Sequence, residues 1–192
     1  MTAQIQKQAE ENLLVLYRDG DDEAYRKLFE SHYPSILNLC YRIIGTREDA
    51  EEVAQDVFIK VHQSIQNYTP RGKESTFLYR IAVNLSLNRI RDKKRKRLLS
   101  FDLLKQDRGF EIKNDEAFNP DRILERKEIR EAIWQAINTL PENQKTAVIL
   151  KRFHDLSYEE IAEITQCSVS AVEARLHRAR QTLKKKLDRI LD

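Results

Sequence analysis

Arg80, Asn84, Asn88 and Arg91 recur at i, i+4, i+8 and i+11, which places two amides between two guanidinium groups on one helix face. Amide side chains hydrogen-bond base edges and guanidinium groups hold phosphates, so this row suits a nucleic acid. A merely solvated helix face is built mainly from Glu and Lys. A second set stands near the C-terminus, where Arg175, His177, Arg178, Gln181, Lys184 and Lys185 point away from an apolar stripe of Val172, Leu176, Ala179 and Leu183. Other chemistries find no support. The four histidines (His32, His62, His154, His177) form no HExxH or paired motif, and Cys40 and Cys167 stand far apart without metal-ligand spacing. No Ser/His/Asp set and no Gly-rich phosphate loop occurs. Neither an enzyme, a metal site nor a cofactor is expected, and the thiols read as those of a reducing cytoplasm.

The elements that must position these residues are helices. Only 4 Gly and 4 Pro occur in 192 residues, and few stretches alternate apolar with polar side chains. A first helical pattern runs from about Gln4 to Tyr17 and stops at Asp19-Gly20-Asp21. The next offers Leu28, Phe29, Ile36, Leu37, Leu39, Cys40, Ile43 and Ile44 to a core, with Pro34 expected to bend or restart it and Gly45 to end it. Thr46, with Asp49 three residues on, resembles a capping box. From there to Ile65 the residues Ala50, Val53, Ala54, Val57, Phe58, Val61 and Ile65 form an inward stripe. Glu51, Glu52, Gln55, Asp56 and Lys60 form the outward face, and five acids fall among the nine residues Glu48–Asp56. Part of that charge suits a helix N-terminus. The remainder offers a docking surface for a basic partner. Asn67–Glu74 reads as a loop, and Ser75 as the cap of a helix to about Lys96 with Leu78, Ile81, Ala82 and Leu85 inward.

Charge is distributed unevenly around a net of +3. Arg91–Arg97 holds six bases against one acid, and Ser170–Ile190 seven against two. Asp102–Asp121, between them, holds six acids against three bases. Two basic patches divided by an acidic stretch imply two separate contacts with a polyanion, although a charge run also suits a solvated face. Leu99–Asn119 shows no period and reads as linker. Asn119-Pro120 opens a helix with Ile123, Leu124, Ile129, Ile133, Trp134 and Ile137, ending near Thr139. Leu140-Pro141 opens another, with Ala147, Val148, Leu150 and Phe153 inside. No stretch approaches the roughly 20 apolar residues of a membrane span, and the N-terminus lacks a signal-peptide core. A cytoplasmic protein without membrane insertion is expected.

The last segment is the most informative. Ser157-Tyr158-Glu159-Glu160 is a capping box ahead of a short helix with Ile161, Ala162 and Ile164 apolar. Thr165-Gln166-Cys167-Ser168 reads as a turn, and Ser170-Ala171-Val172-Glu173 as a second capping box opening the basic helix. A short helix, a turn and a longer basic helix form a helix-turn-helix, whose second helix enters the major groove. A plain helical hairpin is the alternative.

Taken together, Asp49–Ile65, Ser75–Arg95, Leu140–Phe153 and Leu156–Leu187 resemble the extracytoplasmic-function sigma factors of bacterial RNA polymerase, in the family's order and spacing. The resemblance implies an all-α fold of two small helical domains on a flexible linker: 1–97 for polymerase binding and −10 recognition, 98–122 as linker, and 123–192 as the helix-turn-helix that reads the −35 element. Glu52, Gln55 and Asp56 would contact the clamp of the largest catalytic subunit of core polymerase. Tyr68, Arg71, Lys73, Arg80, Asn84, Asn88 and Arg91 would meet the −10 element, with Asn84 lining a pocket for a flipped base of the melted strand. Ser168, Ser170, Ala174, Arg175, His177, Arg178 and Lys184 would meet the −35 duplex. An anti-sigma factor is the further implied partner beside polymerase and promoter DNA. Phe77 stands where the family commonly has Trp, as a buried aromatic. Glu173 stands where it usually has Arg or Lys, a departure that the capping box accounts for locally. A helix-turn-helix regulator acting without polymerase, and a decoy that sequesters a regulator, are the competing readings. Neither uses both the acidic face and the Arg80–Arg91 row.

Overall fold

The computed structural model describes residues 12–70, 72–99, 129 and 131–191, the side chains of 97, 99 and 189–191 excepted. The described residues are helical with short connections and contain no strand. The chain divides into two compact units, and each is taken by itself. The expected start of the first helix at Gln4, the linker beyond Leu99, and the helix start at Asn119-Pro120 with Ile123 and Leu124 lie outside the described residues.

In the N-terminal unit, α1 (Leu13–Arg18) opens on Asn12, whose side chain accepts from the Leu14 and Val15 amides. Asp21 does the same for α2 (Asp22–Ile44), accepting from Glu23 and Ala24 at 3.0 and 3.2 Å. Both caps satisfy amides that have no partner in a first helical turn. Pro34 neither restarts nor ends α2, which runs through it. The helix stops at Gly45, in the left-handed region at φ 95°, whose N–H donates to the Tyr41 carbonyl at 2.8 Å. Next come α3 (Arg47–Ser64), a 3-10 turn (Ile65–Asn67) and α4 (Glu74–Leu99).

Helices α2, α3 and α4 pack pairwise on one another, and α1 lies on α2. The inward stripe of α3 is as expected, with all seven residues from Ala50 to Ile65 buried. Phe29 is a correction: it is 37% exposed, at the rim of an aromatic group with Tyr33 and Phe58 whose ring centroids lie 4.8 Å from its own. The buried face of α4 also differs. Leu78 and Ala82 are buried, but so are Thr76, Tyr79, Val83 and Ser86, while Ile81 and Leu85 sit at the flank. A helix wedged between two others buries a wider arc than a single stripe predicts. Ser86 and Cys40, both fully buried, are small residues of α4 and α2. Burial pushes the Cys40 thiol up to about 11, which makes it unreactive.

In the C-terminal unit, α5 (residues 131–138) is followed by α6 (Glu142–Phe153), α7 (Tyr158–Thr165) and α8 (Val169–Leu191). Helix α6 packs on α8. Ala147 and Leu150 are buried as expected, together with Thr146 and Ile149. Phe153 is not inside: it is 38% exposed and stacks on Trp134 with centroids 5.1 Å apart. Ile129 and Ile133 are likewise exposed.

Gly45→Ala is expected to destabilise the N-terminal unit by about 1–2 kcal/mol, because a Cβ strains the left-handed backbone although the space around it is open. A urea denaturation midpoint equal to that of the unsubstituted protein would contradict this.

Candidate nucleic-acid and polymerase interfaces

A carboxylate organises the N-terminal unit. Asp49, in the first turn of α3, is only 7% exposed. It is not the capping-box partner expected of it. Thr46 makes no side-chain cap bond, and its hydroxyl donates to the Asp49 carboxylate instead. The same carboxylate accepts from Lys93 Nζ and, at 3.4 Å, from Arg89 Nη1, both on α4. Burial alone raises a carboxyl pKa, but the Lys93 and Thr46 hydrogen bonds and the Lys93 and Arg89 charges outweigh it. The net effect holds Asp49 below its usual range. Arg89 Nη1 also reaches Glu52 Oε2 at 2.7 Å. One guanidinium therefore joins the buried acid to the exposed row of α3.

That row carries the first site. Glu52, Gln55 and Asp56 are exposed, as expected. Ile59, one turn on, is 51% exposed on the same helix. Periodicity assigns it to neither the inward stripe nor the outward row. Acids with an exposed Ile suit a partner that brings both positive charge and apolar surface.

The second site is the start of α4 and the loop before it. Helix α4 begins at Glu74, one residue before the expected cap: Ser75 lies inside it, and the Thr76 amide donates to the Lys73 carbonyl at 3.1 Å. The Glu74 carboxylate accepts from the Leu13 amide and pairs with His32 Nε2, each at 3.0 Å, so it holds α1 and α2 to the start of α4. Tyr68 is a correction. It is 7% exposed, its hydroxyl accepting from Asn12 at 3.3 Å and its carbonyl from Arg18 at 3.2 Å. Tyr68 therefore offers no free face to a base. It props Phe77, edge-on at 4.9 Å, and Arg80 lies over Phe77 at 5.5 Å. Phe77 is half-buried rather than buried. Lys73, Asn84, Asn88 and Arg91 are exposed and Arg80 is half-buried. Arg91 donates to Asn88 at 3.1 Å, and Arg71 lies outside the described residues. The exposed basic run continues to Lys96.

The third site is the helix-turn-helix. The first capping box forms as expected: the Ser157 amide donates to Glu160 at 2.8 Å and the Glu160 amide to Ser157 Oγ at 3.2 Å. Ile161, Ala162 and Ile164 are buried. The turn is shorter than expected, since Thr165 still belongs to α7 and Gln166 turns the chain at φ 51°. The second capping box does not form. Helix α8 opens at Val169 with Ser168 as its cap: the Ala171 amide donates to Ser168 Oγ at 3.2 Å and the Val172 amide to the Ser168 carbonyl at 3.1 Å. Ser170 lies in the first turn and hydrogen-bonds Ser168 at 3.0 Å. Val172 and Ala179 are buried, and Ser170, Ala174, His177, Arg178 and Lys184 are exposed. Arg175, expected outward, is half-buried at the flank.

These arrangements match known proteins over most of the chain. The description "Sigma-70 region 2" covers residues 28–96 and "Sigma-70, region 4" residues 130–183. The chain is 33% identical over 189 residues to the RNA polymerase sigma-H factor of Pseudomonas aeruginosa, covering 96% of this chain and 97% of that one. It is 34% identical to the ECF RNA polymerase sigma factor SigW of Bacillus subtilis, covering 88% and 92%. The chain belongs to the extracytoplasmic-function sigma factors of the sigma-70 family. It is thus an alternative sigma factor, which directs promoter-specific transcription initiation. The fold is that of the sigma factor RpoE in a co-crystal structure with the anti-sigma factor NepR from Bartonella quintana. That match has a TM-score of 0.71 at 19% identity and covers 85% of this chain and 96% of that one. No described helix of this sigma factor is long and apolar enough to cross a membrane.

Two predictions test the local geometry. Asp49 has a depressed pKa in the folded state, so its stabilisation is complete above the unfolded value of about 4 and is lost as pH falls through the lower folded value. Asp49→Asn is expected to cost about 1–3 kcal/mol at pH 7 and to flatten that acid limb, as read by urea unfolding at several pH values. Ser168→Ala is expected to cost about 1 kcal/mol, as a lost cap does, and Ser170→Ala a few tenths. Thermal melts in which Ser170→Ala lost more than Ser168→Ala would restore the rejected cap.

Proposed function

We propose that each of the three surfaces has a distinct task in initiation. The exposed row Glu52, Gln55, Asp56 of α3, extended by Ile59, docks on the clamp of the largest subunit of core RNA polymerase. The start of α4 captures the melted −10 strand: Asn84 and Asn88 offer amides to extruded bases, and Lys73, Arg80 and Arg91 hold backbone phosphates. Extruding a base costs a few kcal/mol of stacking, which a polar pocket around Asn84 must offset. Tyr68 acts through Phe77 rather than by touching the strand. Helix α8 reads the −35 duplex through Ser170, Ala174, His177 and Arg178, with Arg175, Lys184 and the Ser168 cap at the margin. Residues 1–97 and 123–192 serve as the two readers and 98–122 as their linker, so promoter spacing is measured by where polymerase holds them.

The observation that carries this reading is the placement of the acidic face and the amide-arginine row on adjacent helices locked by one buried carboxylate. A regulator that worked without polymerase would have no use for that pairing. The chain would work in the cytoplasm and catalyse no covalent step itself. An anti-sigma factor is a fitting partner, since the RpoE fold match was crystallised with one.

Run-off transcription with purified core polymerase tests the whole. The chain is expected to yield promoter-specific products from genomic fragments, and their complete absence would overturn the reading. Asn84→Ala should lower open-complex formation roughly tenfold, the loss of one good hydrogen bond, while core binding is kept. Asp56→Arg should weaken core binding and regain open-complex formation once core polymerase is saturating. Permanganate reactivity of unpaired thymines and a core-binding titration separate the two. Equal loss of both properties in both variants would count against the division of labour.

A further inference from the structure

Between Ser168 and Gln181, Glu173 is the one exposed carboxylate of α8, among neutral and basic side chains. Ser170, Glu173, Ala174, His177, Arg178 and Gln181 are all exposed, and their spacing of i, i+3, i+4, i+7, i+8 and i+11 makes one continuous stripe of α8. The stripe lies opposite buried Val172 and Ala179. With Ser168 as the cap, Glu173 is the fifth residue of the helix rather than a capping partner. It makes no hydrogen bond or ion pair among the described residues. Its neighbour one turn on, His177, is joined instead to Gln181 at 2.9 Å. Nothing among the described residues therefore uses this carboxylate.

A carboxylate brought against DNA without a donor costs free energy, because phosphates repel it and desolvation is uncompensated. In the major groove the donors are exocyclic amino groups, and an ionised carboxylate only accepts. Guanine O6 and N7 and thymine O4 are acceptors and would repel it. The amino group of cytosine N4 is its natural partner, whereas adenine N6 sits beside the N7 acceptor and suits an amide, which both donates and accepts. The first two turns of a recognition helix are the part that reaches base edges.

We infer that Glu173 is a specificity-determining residue of the −35 reader, accepting a hydrogen bond from the N4 amino group of one cytosine. This rests on the proposed role of α8 and adds to it a base preference set by one side chain. The substitution series is diagnostic because each replacement has its own base. Glu173→Gln should move the preference at that position from cytosine to adenine, and Glu173→Lys to guanine, with other positions unchanged.

The test is transcription by the reconstituted holoenzyme from templates randomised across the −35 window, with the transcribed templates sequenced. Core binding and thermal melts of each variant serve as controls, since Glu173 is exposed and its replacement disturbs no packing. The unsubstituted protein is expected to favour cytosine at one position by roughly tenfold or more, and Glu173→Gln to abolish that preference in favour of adenine. A defined base preference in that window that is the same in all three proteins would overturn the inference while leaving the −35 role of α8 intact. A cytosine preference absent from the unsubstituted protein would overturn it equally. Templates showing no base preference in that window with any of the proteins would instead remove the −35 role itself.

Discussion

A carboxylate taken out of water must be met by positive charge and hydrogen-bond donors, and in the N-terminal unit that demand falls on Asp49. Its answer comes from Lys93 and Arg89, forty or more residues along the chain. Apolar contacts pack α2, α3 and α4 together, but such contacts are non-directional and tolerate sliding. The ionic cluster adds what they lack, a register between α3 and α4. The outward row of α3 and the Asn84–Arg91 row of α4 therefore hold a set angle to each other. Glu74 does the same at the other end of α4, where one carboxylate holds α1 and α2.

The C-terminal unit fixes its geometry by other means. Helix α7 is eight residues long, too short to persist on its own. Its reciprocal Ser157–Glu160 box and the burial of Ile161, Ala162 and Ile164 stabilise it. The turn is tight enough to need Gln166 in the left-handed region, and Ser168 begins the next helix at once. The helix so positioned carries Ser170, Glu173, His177, Arg178 and Gln181 on a single exposed stripe.

What could be read from the sequence followed the range of the interactions. The α3 stripe and the Ser157–Glu160 box were legible because each is complete within a few residues. Thr46-x-x-Asp49 and Ser170-x-x-Glu173 looked the same but failed for different reasons. Asp49 is claimed by cations on another helix, which no local pattern encodes. Ser170 is forestalled by Ser168, an equally good cap two residues earlier. Tyr68 was misjudged because a tyrosine in a polar loop gives no sign that Asn12 and Arg18 will close over it. Phe29 and Phe153 are large aromatics at the rim of their units, where periodicity cannot tell a core position from its edge. The exposed amides and acids of the candidate sites were legible as residue types and as faces. Their pairings, such as Glu52 with Arg89, were not.

The position of Arg89 has a thermodynamic consequence. Its guanidinium is shared between Asp49, which it helps keep charged, and Glu52, which faces outward. Both acids lie on α3, so a partner that draws Glu52 away removes one tie between α3 and α4 and leaves Arg89 to Asp49. Any such effect is reciprocal by linkage: if engagement of α3 changes the affinity of α4 for its ligand, engagement of α4 changes the affinity of α3 by the same factor. Through Arg89, whatever engages Glu52 is felt at the buried Asp49.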